Sequence, residues 1–113
     1  MHIRTKSLQT PKGKQDGLRI CVMRRVRPEY DFDLWIPKLA PPEGLLKKYV
    51  IDKKITWNTF IPLFKKRVID KQKRLIRMLI QLSRYSNITL LCWEKSAIHC
   101  HRSLLLKACS DFH

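Results

Sequence analysis

Apolar positions along the chain follow two patterns. Leu18 to Met23 and Ile88 to Cys92 are short, nearly continuous apolar runs. Turn-forming residues precede both, Asp16-Gly17 before the first and Ser86-Asn87 before the second. Runs of this length and continuity predict strands covered on both faces, as in parallel sheets. His2 to Ser7 alternates weakly and predicts a short edge strand, expected here to be antiparallel.

Between the two apolar runs the period is helical. Pro42 and Glu43 suit the first turn of a helix over Pro42 to Tyr49. Thr56 is placed to cap a second helix, with Trp57, Phe60, Phe64 and Val68 on one side and Pro62 delaying or kinking it. Asp70 is placed to cap the longest helix, Lys71 to Tyr85. There Leu75, Met78, Leu79 and Leu82 form the buried stripe, and Lys73, Arg77 and Arg84 share the opposite face with Gln81. A last helix runs from Arg102 to Cys109, burying Leu104, Leu105 and Ala108. Thr10 to Gly17 reads as loop, and the aromatics Tyr30, Phe32 and Trp35 are expected to cover one end of the core.

A long helical crossover between the two apolar strands requires them to be parallel. The expected fold is therefore a single α/β domain over residues 1–113. It has a small mixed sheet of about three to four strands, two of them central and parallel, packed by about four helices.

Hydrophobic residues make up 44% of the chain, which excludes a disordered composition. The net charge of +15 changes the picture more, because a surface this basic attracts phosphate-bearing partners. Met1-His2-Ile3-Arg4 leads into polar residues and no apolar run is long enough to span a bilayer, so the expectation is a cytoplasmic protein with no membrane partner. In that compartment Cys21, Cys92, Cys100 and Cys109 are expected to be mostly reduced.

Candidate chemistry concentrates between the second apolar strand and the last helix. Cys92, Glu94, Lys95, His99, Cys100, His101 and Arg102 lie on one strand-to-helix loop, the place where α/β folds collect ligands. A helix start favours anions and lowers a thiol pKa, so Cys100 with His101 is the candidate catalytic pair, and Arg102, Glu94 and Cys92 are candidate ligand contacts. Arg24 and Arg25 follow the first apolar strand and can join the same crevice. The bland alternative is that Cys100 and His101 only satisfy the turn. A phosphatase loop is excluded, since Cys100 and Arg102 are too close and no Gly intervenes. Zinc on Cys92, His99, Cys100 and His101 is a further alternative, and so is a Cys92–Cys100 disulfide. The crowding of three of these ligands is unlike the two separated pairs of structural zinc sites, so no metal and no cofactor is assigned.

The chain resembles the domain-of-unknown-function 488 family of small bacterial and archaeal proteins. The resemblance runs through Asp16-Gly17-Leu18-Arg19, Phe32-Asp33-Leu34-Trp35, Leu39-Ala40-Pro41, and Trp57 with Phe60. It is strongest in Leu90-Leu91-Cys92-Trp93-Glu94-Lys95 and Cys100-His101-Arg102. It implies an α/β fold and supports the loop as the site. Pro42 stands where relatives often carry Ser, so a side-chain cap is lost, and Arg67 stands where they often carry an acidic residue.

Three functional expectations follow. The loop binds an anionic, phosphate-bearing small molecule. Alternatively, the protein binds nucleic acid without sequence preference through Lys65, Lys66, Lys73, Arg77 and Arg84. As a second alternative, it is a thiol-dependent enzyme using Cys100.

Overall fold

A computed structural model describes residues 2–94 and 99–111. Four strands form one sheet in the order β1-β4-β2-β3: β1 is Ile3–Ser7, β2 Leu18–Cys21, β3 Leu34–Trp35 and β4 Ile88–Cys92. β2 and β4 are adjacent and parallel, with Leu18 opposite Ile88 and Cys21 opposite Leu91. The helical crossover rule therefore holds for the two central strands.

β1 also pairs parallel to β4, with Ile3 opposite Ile88 and Ser7 opposite Cys92. The sheet is thus parallel throughout, and not mixed as the weak alternation at the N-terminus suggested. Alternation reports which face a residue occupies and carries no information about strand direction. Direction here is set by residues 8–17, which carry the chain past β4 before it re-enters the sheet as β2. β3 adds two residues at the far edge, parallel to β2. A strand this short has no readable period. Its Leu34 and Trp35 stay exposed, so the Phe32–Trp35 segment forms a sheet edge and does not close the core as expected. Trp35 Nε1 donates to the Met23 carbonyl at 2.7 Å.

The helices lie on one face of the sheet. Ile3, Ile20, Val22, Ile88 and Leu90 point to that face and share a core with Leu45, Phe60, Phe64, Ile76, Leu79 and Leu105. α1 (Glu43–Leu46) runs into a π turn over Lys47–Ile51. Its N-cap is Pro42, which makes no side-chain cap bond. α2 (Trp57–Phe64) begins where Thr56 accepts the Thr59 N–H at 3.2 Å, as its sequence position predicts. Pro62 sits inside α2 without delaying its start, and a second π turn follows over Lys65–Ile69. The ring of Pro62 removes the donor that the Asn58 carbonyl would take.

α3 covers Lys73–Leu82, shorter than the pattern implied. Asp70 does not cap it, because the π turn absorbs that residue and Gln72 takes the cap position. Of the predicted stripe only Leu79 is fully buried, with Leu75, Met78 and Leu82 partly buried; Ile76, outside that stripe, is the other fully buried residue because the helix turns it toward the sheet. α4 spans His101–Asp111 and buries Arg102, Leu105, Ala108 and Cys109.

The opposite face is covered by loops and mixes the buried apolar Cys21 and Leu91 with polar groups. Arg19 and Thr89 are buried there. Asp16 accepts from both Lys6 Nζ, at 3.0 Å, and the Arg19 guanidinium. Arg19 also donates to the Asp31 carbonyl at 3.0 Å, and Thr89 Oγ1 donates to the Asp16 carbonyl at 2.8 Å. Burial alone would raise the Asp16 pKa. The Gly13 N–H, Lys6 and Arg19 outweigh it and pull the carboxyl down to about 2. Gly17 has φ +62°, and a Cβ there would fall 2.1 Å from the Asn87 carbonyl oxygen. The Asp-Gly-Leu-Arg run is therefore a structural clamp on the loop-covered face. Among the described residues no helix is long and apolar enough to cross a membrane.

Candidate functional site

A cleft of about 720 Å³ opens at the carboxyl ends of β2 and β4. Parallel strands place their last residues, and the loops that follow, at one end of the sheet. Met23, Arg24 and Arg25 therefore meet Cys92, Trp93 and Glu94, while His99, Cys100 and His101 arrive at the start of α4. The other wall comes from α1, α2 and their connecting segment, with Tyr49, Trp57 and Phe60 facing the opening.

That wall is a run of aromatic contacts. Trp57 stacks on Phe60 at 5.2 Å, Phe60 on Phe64 at 5.8 Å, and Tyr49 tilts against both Trp57 and Phe60. His99 is exposed and stacks on Trp57 at 5.2 Å. The helical spacing of Trp57, Phe60 and Phe64 reads in sequence as a core stripe. In the structure Phe60 and Phe64 are buried, while Trp57 is left half-buried as a surface for the cleft.

The cations at the rim differ in how they are held. Arg24 Nε donates to the Pro41 carbonyl at 3.0 Å, and Arg25 pairs with Glu43 at 2.7 Å. Lys53 adds a third positive charge and takes the left-handed φ of 51° that is uncommon for Lys. The sequence offered no sign that Lys53 and Glu43 belong to the site, because the path of the π turn decides it.

The floor holds the thiols and the imidazole. His101 Nε2 lies 2.7 Å from the Val22 carbonyl, which only accepts, so Nε2 carries the proton. The Nδ1 lone pair is then turned toward Cys100 Sγ, 3.9 Å away. Burial lowers the His101 pKa to about 4 and the Arg102 charge adds to that, against the Val22 hydrogen bond, so the ring is neutral at neutral pH. The Cys92 and Cys100 sulfurs are joined as a disulfide, the pairing the sequence left open and not the reduced thiols first expected, although their Cα atoms are 7.9 Å apart. Disulfides usually span about 4.4–6.8 Å between Cα atoms.

Arg102 is not a cleft residue. It is buried behind the floor and donates to the Cys92 carbonyl, to Cys92 Sγ at 3.2 Å and to the Glu94 carbonyl. It thus braces the loop that presents Cys92 and Glu94, a role different from the anion contact expected of it. Burial lowers the Arg102 pKa, and the Glu94 charge partly offsets that. Cys92, Cys100, His101, Glu94, Arg24 and Arg25 all line the cleft. His99 stands apart from the sulfurs, on Trp57, and Lys95 lies outside the described residues. Lys65, Lys66, Lys73, Arg77 and Arg84 are exposed on the second π turn, α3 and the turn after it, away from the cleft.

No curated protein and no solved structure matches the chain. One family model does, over residues 3–111: DUF488-N3a, described as the active DUF488-N3 subclade. With nearly its whole length matched and the parallel α/β fold in place, the chain belongs to the domain-of-unknown-function 488 family, in its DUF488-N3a branch.

Proposed function

We propose that the cleft binds a nucleotide-like small molecule, a phosphate-bearing anion with a planar part, in a cytoplasmic setting. The observation that carries this reading is the pairing of an aromatic wall with two arginines at the carboxyl end of β2, beside that of the parallel β4. Apolar clefts of about 300–1,000 Å³ with a few convergent polar groups are the usual form of small-molecule sites. A planar ring has Trp57 to stack on, as His99 already does. A phosphate at the rim meets Arg24 and can draw Arg25 from its exposed pair with Glu43, a weak competitor in water.

Quenching of tryptophan fluorescence during titration with nucleoside mono- and diphosphates, free nucleosides and inorganic phosphate tests the proposal. Saturable binding of the phosphorylated compounds is expected, weakened about tenfold, or 1.4 kcal/mol, by Arg24→Ala. Absence of saturable binding by every phosphorylated compound up to millimolar concentration refutes it.

A second reading, non-specific nucleic-acid binding, is favoured by the five exposed cations Lys65, Lys66, Lys73, Arg77 and Arg84. Such binding releases counterions, so affinity falls with salt at a slope near −0.9 per neutralised duplex phosphate. Replacing Lys73 and Arg77 by Glu should flatten that slope while leaving nucleotide binding in the cleft unchanged. Lack of binding to duplex or single-stranded nucleic acid at low salt removes this reading.

A further inference from the structure

We propose that, once their disulfide is reduced, Cys92 and Cys100 form with His101 a site for one thiophilic divalent cation of the zinc class, with an open coordination position facing the cleft. Cys92 Sγ, Cys100 Sγ and a His101 ring nitrogen all lie within 4.8 Å of one another. A tetrahedral zinc ion with bonds of about 2.3 Å to sulfur and 2.0 Å to nitrogen places its ligands about 3.5–3.8 Å apart. The 3.9 Å between Cys100 Sγ and His101 Nδ1 is close to that value without any adjustment.

The surroundings fit a ligand set better than a packing cluster. Metal-binding histidines commonly donate their second ring N–H to a carbonyl or carboxylate, which fixes the tautomer and aims the other nitrogen. His101 does this through Nε2 and Val22. Arg102 donates to Cys92 Sγ at 3.2 Å, a contact that stabilises a thiolate. The 7.9 Å between the two Cα atoms lies outside the usual disulfide range. A cation held by both reduced sulfurs spans that separation once the two side chains turn apart to the ligand spacing of a tetrahedral site. Two thiolates and one imidazole select zinc-like over magnesium- or calcium-like ions.

All three side chains line the cleft, so the fourth position is turned toward the space where a ligand would sit. Three protein ligands with one open position is the pattern of catalytic zinc. This site does not depend on the cleft's preference for phosphate compounds, because the cation binds with no organic ligand present.

The test uses the full chain, reduced and stripped with chelator, titrated with Co²⁺ as a spectroscopic probe and then with Zn²⁺. One equivalent of Co²⁺ should give a sulfur-to-cobalt charge-transfer band of two-thiolate intensity, and Zn²⁺ should abolish it. Cys100→Ser should halve the band. His101→Gln should keep it but weaken binding more than the roughly tenfold that loss of a mere outer-shell partner costs. Cys109→Ser, at a buried thiol outside the cluster, should change nothing. A reduced wild-type protein that gives no thiolate–cobalt band overturns the proposal, whatever the variants do. So does a band of full intensity in a folded Cys100→Ser protein. Nucleotide binding is read by fluorescence on the metal-free chain, so failure of either proposal is recognised separately.

Discussion

Asp16 offers the sharpest test of what holds the site's scaffold together. Its carboxylate is 2% exposed and lies between Lys6 and Arg19, and Arg19 is 1% exposed. Asp16→Asn keeps the shape and removes the charge. The carboxyl is lowered from 3.8 to about 2 in the fold, which corresponds to about 2.4 kcal/mol at 1.36 kcal/mol per pH unit. Lys6 is about one-fifth exposed, so solvent screens part of this, and about 1–2 kcal/mol is the better expectation. The variant also leaves Arg19 buried without its anion, and breaking a buried pair from one side costs about 3–5 kcal/mol. That one-sided cost already contains the ionic part, so at pH 7 a total loss of about 3–5 kcal/mol is expected.

The pH dependence isolates the ionic part. The folded pKa lies below the unfolded one, so the unfolded chain binds more protons between them. The stabilisation is complete above about pH 4 and disappears as pH falls through about 2. Urea unfolding followed by tryptophan fluorescence, at steps from pH 7 to pH 2, should show wild type and Asp16→Asn converging by about 1–2 kcal/mol below pH 4. Parallel curves across that window, or a loss under 0.5 kcal/mol at pH 7, would refute the reasoning.

Gly17→Ala should lower stability by at least about 2 kcal/mol, since it adds the left-handed penalty to a clash with the Asn87 carbonyl; a thermal midpoint within a degree of wild type would contradict this. In the metal-free, reduced protein, Cys100 should be alkylated faster than Cys21 by a mild reagent, measured by mass spectrometry, because Cys100 lines the cleft while Cys21 is fully buried and burial raises its pKa. Equal rates would leave Cys100 without access to the cleft. Thr56→Ala should cost about 1 kcal/mol in urea unfolding through loss of the α2 cap. Arg102→Lys should destabilise the chain and weaken cleft binding together, since the shorter, more strongly hydrated ammonium does not reproduce the contacts by which Nη1 holds Cys92 and Glu94; unchanged values for both would sink the brace assignment.

The sequence alone determined the two central strands, their parallel relation and the loop that carries the thiols and the imidazole. These are local signals: a continuous apolar run, a crossover too long for a hairpin, a helix start after a strand. Thr56 was legible as a cap for the same reason, since it acts on an N–H three residues away. The tertiary structure decided what depends on distant residues. The direction of β1 follows from where residues 8–17 cross the sheet. The role of Asp16 needs Lys6 and Arg19 from two different strands. Trp57 looked like a core residue because helical spacing reports a face and not its depth. Arg102 looked like an anion ligand because its position at a helix start says nothing about the direction its side chain takes. Only packing could turn that guanidinium inward, onto the Cys92 and Glu94 carbonyls, and leave Cys92, Cys100 and His101 together at the base of the cleft.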